Sequence, residues 1–144
     1  MMEARLESVG KPIGINFKFG GNTGNTRDSH RLIYLAKEKA GLEAQNKVVN
    51  EIEKSYFENE GDITSHAMLT AAAGEAGLDE SQVKAWLSSD AGGREVDQAV
   101  RSAQARGISG VPNFVLQEKY EIGGAQDPDS FVDIFEKIKE REGK

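Results

Sequence analysis

Cysteine is absent from this chain of 144 residues. Without cysteine there is no disulfide bond, no thiolate nucleophile and no cysteine-ligated metal, so any redox chemistry has to come from another molecule. Histidine is almost as scarce, because only His30 and His66 occur, and two distant histidines without cysteine do not make a zinc site. No serine stands in a Gly-x-Ser-x-Gly motif. The sequence therefore predicts no catalytic residue and no metal ligand.

Positive charge is in the minority, with 18 lysines and arginines against 24 aspartates and glutamates, which gives a formal net charge of -6. Nucleic acids and anionic membrane surfaces attract clustered lysine and arginine, so neither is expected as a partner. Long apolar runs are missing too, and none approaches the roughly 20 residues that cross a bilayer. Residues 1–6 lack the basic and apolar regions of a secretory signal. These absences favour a cytoplasmic protein.

The residues that are present make up the composition of a folded domain, with 38% hydrophobic and 29% charged residues. Apolar residues recur at helical spacing through most of the chain, and glycines or capping residues separate the runs. Asp79 and Asp90 are the predicted N-caps of the last two helices in this part of the chain. We expect helices over residues 4–9, 25–40, 42–60, 65–75, 79–87 and 90–106.

The pattern changes after Gly107. Residues 114–117 and 120–123 have the composition of two short strands, and a tight connection across Glu118–Lys119 would join them into a β-hairpin. A last helix is expected to begin at Asp127-Pro128, since aspartate is a good N-cap and proline suits the first helical position. We expect this helix to bury one apolar side, formed by Phe131, Ile134, Phe135 and Ile138.

Three stretches of the chain have a recognisable pattern, namely Asn-Thr-Arg-Asp-Ser-His-Arg-Leu at residues 25–32 and the stretches at residues 107–115 and 123–128. Together they resemble the DsbA-like thioredoxin-fold superfamily, and the first resembles the start of the helical insertion of that family. Gly-Ile-Ser-Gly-Val-Pro-Asn-Phe-Val at residues 107–115 is similar to its cis-proline loop, and Gly-Gly-Ala-Gln-Asp-Pro at residues 123–128 to its last helix start. Within the superfamily the stretches resemble the FrnE-like branch, which is related to 2-hydroxychromene-2-carboxylate isomerases and kappa-class glutathione transferases.

The resemblance implies an α/β fold that is mostly helical, in which a helical insertion bundle is followed by a β-hairpin and a C-terminal helix. It divides the chain into three parts. Residues 1–24 would be the end of an N-terminal helix and a loop, residues 25–106 the helical insertion subdomain, and residues 107–144 the β-β-α half of a thioredoxin-like domain. The N-terminal β-α-β half, which carries Cys-x-x-Cys in the family, has no counterpart, so the fold is expected to be truncated.

The resemblance also implies binding residues. A cis-proline loop leaves the backbone N–H and C=O of the preceding residue free to pair with an extended peptide or with glutathione, which assigns substrate binding to Val111 and Pro112. The alternative is an ordinary trans proline at the start of a strand.

His30 matches a position near the active-site side of the family's insertion, where it would contact a substrate or an anion. The kappa-class resemblance implies that Asn25 or Thr26 would bind the carboxylate of glutathione, and the alternative for these two residues is a flexible loop with a helix cap. All three are candidate ligand-binding residues. The alternative for His30 is a helix-surface histidine that is hydrogen-bonded to a neighbour.

Three functions stay open on these grounds. The first is a DsbA-like or FrnE-like oxidoreductase relative without the catalytic cysteines, acting as a remnant or as a module that binds peptides or thiol compounds. The second is a glutathione-dependent transferase or isomerase of the kappa type, and glutathione is the one cofactor that the resemblance implies. The third is a structural interaction protein. Because a lone hairpin has unpaired edges, we expect a second copy, in a homodimer, or residues 15–19 to complete it.

Overall fold

A computed structural model of the protein describes residues 2–143, which form six α-helices and one β-hairpin. The mostly helical α/β fold that the sequence predicts is confirmed. No helix among the described residues combines the length and the apolar character that crossing a bilayer requires. In chain order the elements are α1 (Met2–Gly10), α2 (Arg27–Asn59), α3 (His66–Glu75), α4 (Glu80–Leu87), α5 (Gly93–Ala105), β1 (Asn113–Leu116), β2 (Tyr120–Gly123) and α6 (Pro128–Arg141).

The chain divides into two compact units. The helical unit extends up to Ala99, and the hairpin unit begins at Val100, so that the boundary lies inside α5. The resemblance implies three parts instead, at residues 1–24, 25–106 and 107–144, and this division stays a prediction.

Helix α2 consists of two helical segments that meet at Gly41. This residue has φ 82° and ψ -173°, a backbone conformation that glycine adopts without the steric cost of a Cβ atom. The first segment therefore ends at the residue that the sequence predicts. At the start of α2, the side chain of Asn25 accepts a hydrogen bond from the Arg27 N–H at 2.9 Å.

The core of the helical unit lies where α2, α3 and α4 pack together. Leu32, Val48 and Leu69 are completely buried, and burying such a side chain contributes about 1.5–3 kcal/mol. Among the small residues of α3, Ala72 and Ala73 are buried in this core. The buried residues of this core are Leu32, Leu35, Ala36, Val48, Ile52, Leu69, Ala72, Ala73, Val83 and Leu87.

The two aspartates that were expected to cap helices behave differently. Asp79 caps α4, because its carboxylate accepts a hydrogen bond from the Gln82 N–H at 2.8 Å. The prediction for Asp90 is wrong. Helix α5 begins three residues later, at Gly93, and the Asp90 carboxylate instead accepts a hydrogen bond from Arg27 at 2.7 Å. Asp90 therefore pairs with an arginine from the start of α2, and it lies too far before Gly93 to be the N-cap of α5.

Residues 15–19 do not complete the hairpin. The N–H of Lys18 donates to the Phe57 carbonyl at 2.7 Å, and the rings of Phe17 and Phe57 meet edge to face at 5.8 Å between centroids. These contacts hold the segment against the second half of α2. The described residues contain one sheet, and it has two strands. The alternative that residues 15–19 pair with the hairpin is therefore wrong, and pairing with a second copy stays a prediction.

The hairpin is antiparallel, and its register pairs Asn113 with Gly123 and Leu116 with Tyr120. Its connection has three residues, 117–119, and not the two that were expected. The first two have φ values of 53° and 58°, in the left-handed region. Positive φ values of this kind match the twist of the two strands that the connection joins.

Helix α6 begins as the sequence predicts, but it buries less than expected. Asp127 caps it by accepting a hydrogen bond from the Ser130 N–H at 3.0 Å. Of the four apolar residues expected to be buried, only Ile138 is, whereas Phe135 is 49% exposed. The ring of Phe131 packs edge to face on Phe114 at 5.0 Å. A sheet of two strands is too narrow to cover the whole apolar side of the helix.

Candidate functional site

The loop between α5 and β1 presents Val111 to solvent. Val111 is 91% exposed, and its peptide bond with Pro112 is cis. Within residues 2–143, no hydrogen bond engages the backbone N–H or C=O of Val111. The Pro112 carbonyl accepts a hydrogen bond from the Gly124 N–H at 2.8 Å, which ties the loop to the end of β2. The loop is thus tied to the end of β2 at Pro112, whereas Val111 next to it stays exposed to solvent.

An open cavity of about 380 Å³ lies beside Val111. Much of its wall is glycine backbone, and a Cβ atom added to any of these glycines would meet no other atom within 4 Å. The wall therefore has room for a chain that approaches the backbone closely. The residues that line the cavity are Gly107, Ser109, Gly110, Val111, Asn113, Glu121, Gly123 and Gly124.

Glu121 brings a carboxylate to this cavity. Its Oε1 atom accepts a hydrogen bond from Asn113 Nδ2 at 3.0 Å, and its Oε2 atom lies 3.5 Å from an Arg106 nitrogen. The sequence analysis did not single out Glu121, Asn113 or Arg106. Alternation along β2 could have indicated that Glu121 points away from the buried Ile122, but its partners depend on the register of the hairpin.

Asn25, Thr26 and His30 lie together at the start of α2, in the helical unit, and not in the hairpin unit that holds the Val111–Pro112 loop. The Thr26 carbonyl accepts a hydrogen bond from the His30 N–H at 3.1 Å, and His30 Nδ1 lies 2.8 Å from the same oxygen. This is the local bonding of a helix-surface histidine. Ligand binding by these three residues stays a prediction.

Arg31, which belongs to the same sequence stretch, is buried with only 2% of its side chain exposed. Its guanidinium donates to Asp28 at 2.7 Å, to the Ala91 carbonyl at 2.9 Å and to the Trp86 carbonyl at 2.8 Å, and it also donates to the Ser89 carbonyl. The carbonyls at the end of a helix have no partner within the helix. Arg31 therefore connects the start of α2 to the end of α4.

His66 has a partner that no sequence pattern predicts. Its Nε2 atom lies 2.6 Å from Asp28 Oδ2, although the two residues are 38 positions apart. The hydrogen bond with His66 lowers the pKa of the Asp28 carboxyl, burial opposes this effect, and the bond with Arg31 adds to the lowering. A carboxyl with a lowered pKa stabilises the fold above its unfolded pKa, and this contribution is lost as the pH falls through the folded value.

Known proteins resemble this chain over nearly its whole length. A model of the DSBA-like thioredoxin domain matches residues 1–136. The crystal structure of a probable DsbA oxidoreductase from Streptomyces coelicolor matches this chain with a TM-score of 0.82, and the two sequences are 30% identical. The match covers 92% of this chain and 57% of the length of that chain. Comparison with curated proteins gives no match. The chain belongs to the family of DSBA-like thioredoxin domains.

Proposed function

We propose that the chain binds extended peptides or thiol compounds at the Val111–Pro112 loop, as a relative of the DsbA oxidoreductases without dithiol chemistry of its own. Its proposed place within the family is the FrnE-like branch, on the three sequence stretches described above. The observation that carries the proposal is the unengaged backbone of Val111, which is 91% exposed beside a glycine-walled cavity. A free N–H and C=O at such a point pair readily with the backbone of an extended chain.

Thiol–disulfide exchange requires a thiolate that attacks a disulfide sulfur. None of the 144 residues is a cysteine, so the chain cannot supply this thiolate. Binding at the loop needs backbone groups alone. The two steps are therefore separable, and the proposal assigns only the binding step to this chain.

We expect no catalysis of insulin reduction by dithiothreitol above the uncatalysed rate. The reason is that turnover needs a thiolate on the protein, and this chain contains none. A dithiol oxidoreductase of the same family, run in parallel, is the positive control. Turnover that follows the concentration of the purified chain would contradict the proposal.

A short unstructured peptide without cysteine should shift the amide resonances around Val111 and saturate in a titration followed by NMR. Methylating a backbone nitrogen in the middle of the peptide removes one hydrogen-bond donor. We expect this change to weaken binding by about 2- to 10-fold, the usual effect of one lost hydrogen bond. Methylation of the terminal residue is the matched control and should leave the affinity unchanged. Two results would contradict backbone recognition. One is amide shifts confined to other regions, and the other is an affinity that the central methyl group leaves unchanged.

Glutathione in the same titration separates the alternatives that the sequence leaves open. A kappa-type transferase or isomerase requires saturable shifts near both Asn25 and Val111. A purely structural interaction protein requires that neither glutathione nor the peptide binds.

A further inference from the structure

Among the described residues that line the cavity beside Val111, Glu121 is the only one with a charged side chain. We propose that Glu121 makes this loop prefer peptides that carry a lysine or an arginine at the position entering the cavity. This inference rests on the proposed function, because it names the class of peptide that the same site selects.

The carboxylate of Glu121 is held in place and keeps the capacity to accept more hydrogen bonds. Asn113, on β1, donates to its Oε1 atom at 3.0 Å across the hairpin, and both residues line the cavity. An ionised carboxylate has about four acceptor sites, so the bond with Asn113 leaves others open to a cationic side chain. A cation that donates to a carboxylate forms one of the stronger hydrogen bonds in proteins.

Arg106 is the cation that a peptide side chain would have to share or displace. It lies 3.5 Å from Glu121 Oε2, and the two side chains are 47% and 41% exposed. Exposed pairs at such a distance contribute little to stability, because water and salt screen them. The Glu121–Arg106 pair is therefore no strong barrier to a lysine or arginine that arrives with its own positive charge.

The rest of the cavity offers little to other side chains. Among the described residues, Val111 is the one lining residue with an apolar side chain, and the others besides Glu121 are glycines, Ser109 and Asn113. An apolar peptide side chain would bury little apolar area here, and the hydrophobic contribution follows that area. An acidic side chain would be repelled by Glu121. Charge is thus the feature by which this cavity can distinguish peptides.

Three peptides that differ only in a central lysine, glutamine or glutamate test the inference in titrations followed at the amides around Val111. The lysine peptide should bind about 2- to 5-fold more tightly than the glutamine peptide, and the glutamate peptide most weakly. In Glu121→Gln the preference for lysine should disappear, and the glutamate peptide should no longer bind most weakly, because Arg106 is then the remaining charge beside the cavity. Glu118→Gln, in the exposed turn of the same hairpin, is the matched control and should keep the preference.

A second variant distinguishes selection by charge from a structural role of Glu121. Arg106→Gln removes the competing cation, so it should increase the preference for the lysine peptide. If Glu121 had only a structural role, this substitution would leave the preference unchanged. Equal binding of all three peptides by the unmodified protein, or an unchanged preference in Glu121→Gln, would overturn the inference and leave peptide binding intact. If no peptide shifts the amides around Val111, both the inference and the proposed function are overturned.

Discussion

Replacing Arg31 by leucine should lower the free energy of unfolding of the helical unit by about 3–5 kcal/mol. The Arg31 side chain is 2% exposed, and its guanidinium is shared between the Asp28 carboxylate and three main-chain carbonyls. Leucine fills part of the space but donates no hydrogen bond. The Ser89 and Ala91 carbonyls would lose their partner inside the protein, whereas Asp28 would keep His66 and the Trp86 carbonyl would keep Ser89. A group left unsatisfied costs more than the bond itself contributed.

Urea unfolding followed by circular dichroism measures this loss. Arg94→Leu is the matched control, because Arg94 is 86% exposed and a change there should stay within about 0.5 kcal/mol. Arg31→Lys keeps the positive charge and tests whether the planar shape of the guanidinium is required. A single ammonium group cannot reproduce the planar fork of the guanidinium, so lysine should recover only a small part of the stability. A loss below about 1 kcal/mol in Arg31→Leu would contradict this account of the buried network.

Replacing Gly92 by alanine should destabilise the helical unit by about 2–4 kcal/mol. Gly92 has a φ of +73°, and an added Cβ atom would lie 2.5 Å from Trp86 Cζ2 and 3.2 Å from Tyr34 Cδ1. The indole N–H of Trp86 donates to the Arg31 carbonyl at 3.2 Å, which limits how far the ring can move away. The substitution therefore combines backbone strain with a steric clash.

Gly77→Ala separates these two costs. Gly77 also has a positive φ, +92°, but an added Cβ atom would meet nothing within 4 Å. Only the backbone cost applies there, which is about 1–2 kcal/mol. Urea unfolding measures the loss of unfolding free energy in both variants, and the difference between the two losses is the contribution of the clash. Trp86 fluorescence should change in Gly92→Ala alone. Equal destabilisation by the two substitutions would show that the ring accommodates the methyl group without cost.

Local signals in the sequence predicted most helix boundaries correctly. Asp79 and Asp127 cap their helices, and Gly41 interrupts α2, because capping and glycine geometry depend on residues within one turn. Asp90 was misjudged because α5 begins three residues beyond it, at Gly93, and its carboxylate binds Arg27, which is 63 positions away in the sequence. A local pattern does not show which distant side chain a carboxylate meets.

Burial in the hairpin unit was harder to predict than its secondary structure. The helical period of α6 correctly indicates which residues share one side, yet Phe135 on that side is 49% exposed. Periodicity predicts the side that faces a neighbour, whereas the width of the neighbour decides how much of that side is covered.

The sequence by itself determined that the chain carries no thiolate and is mostly helical. These properties follow from composition and from neighbouring residues. Only the tertiary structure decided that Asn113 donates to Glu121 beside the Val111–Pro112 loop, and that Arg31 is buried against the end of α4. Such contacts depend on strand register and helix packing, which bring together residues that no local pattern connects.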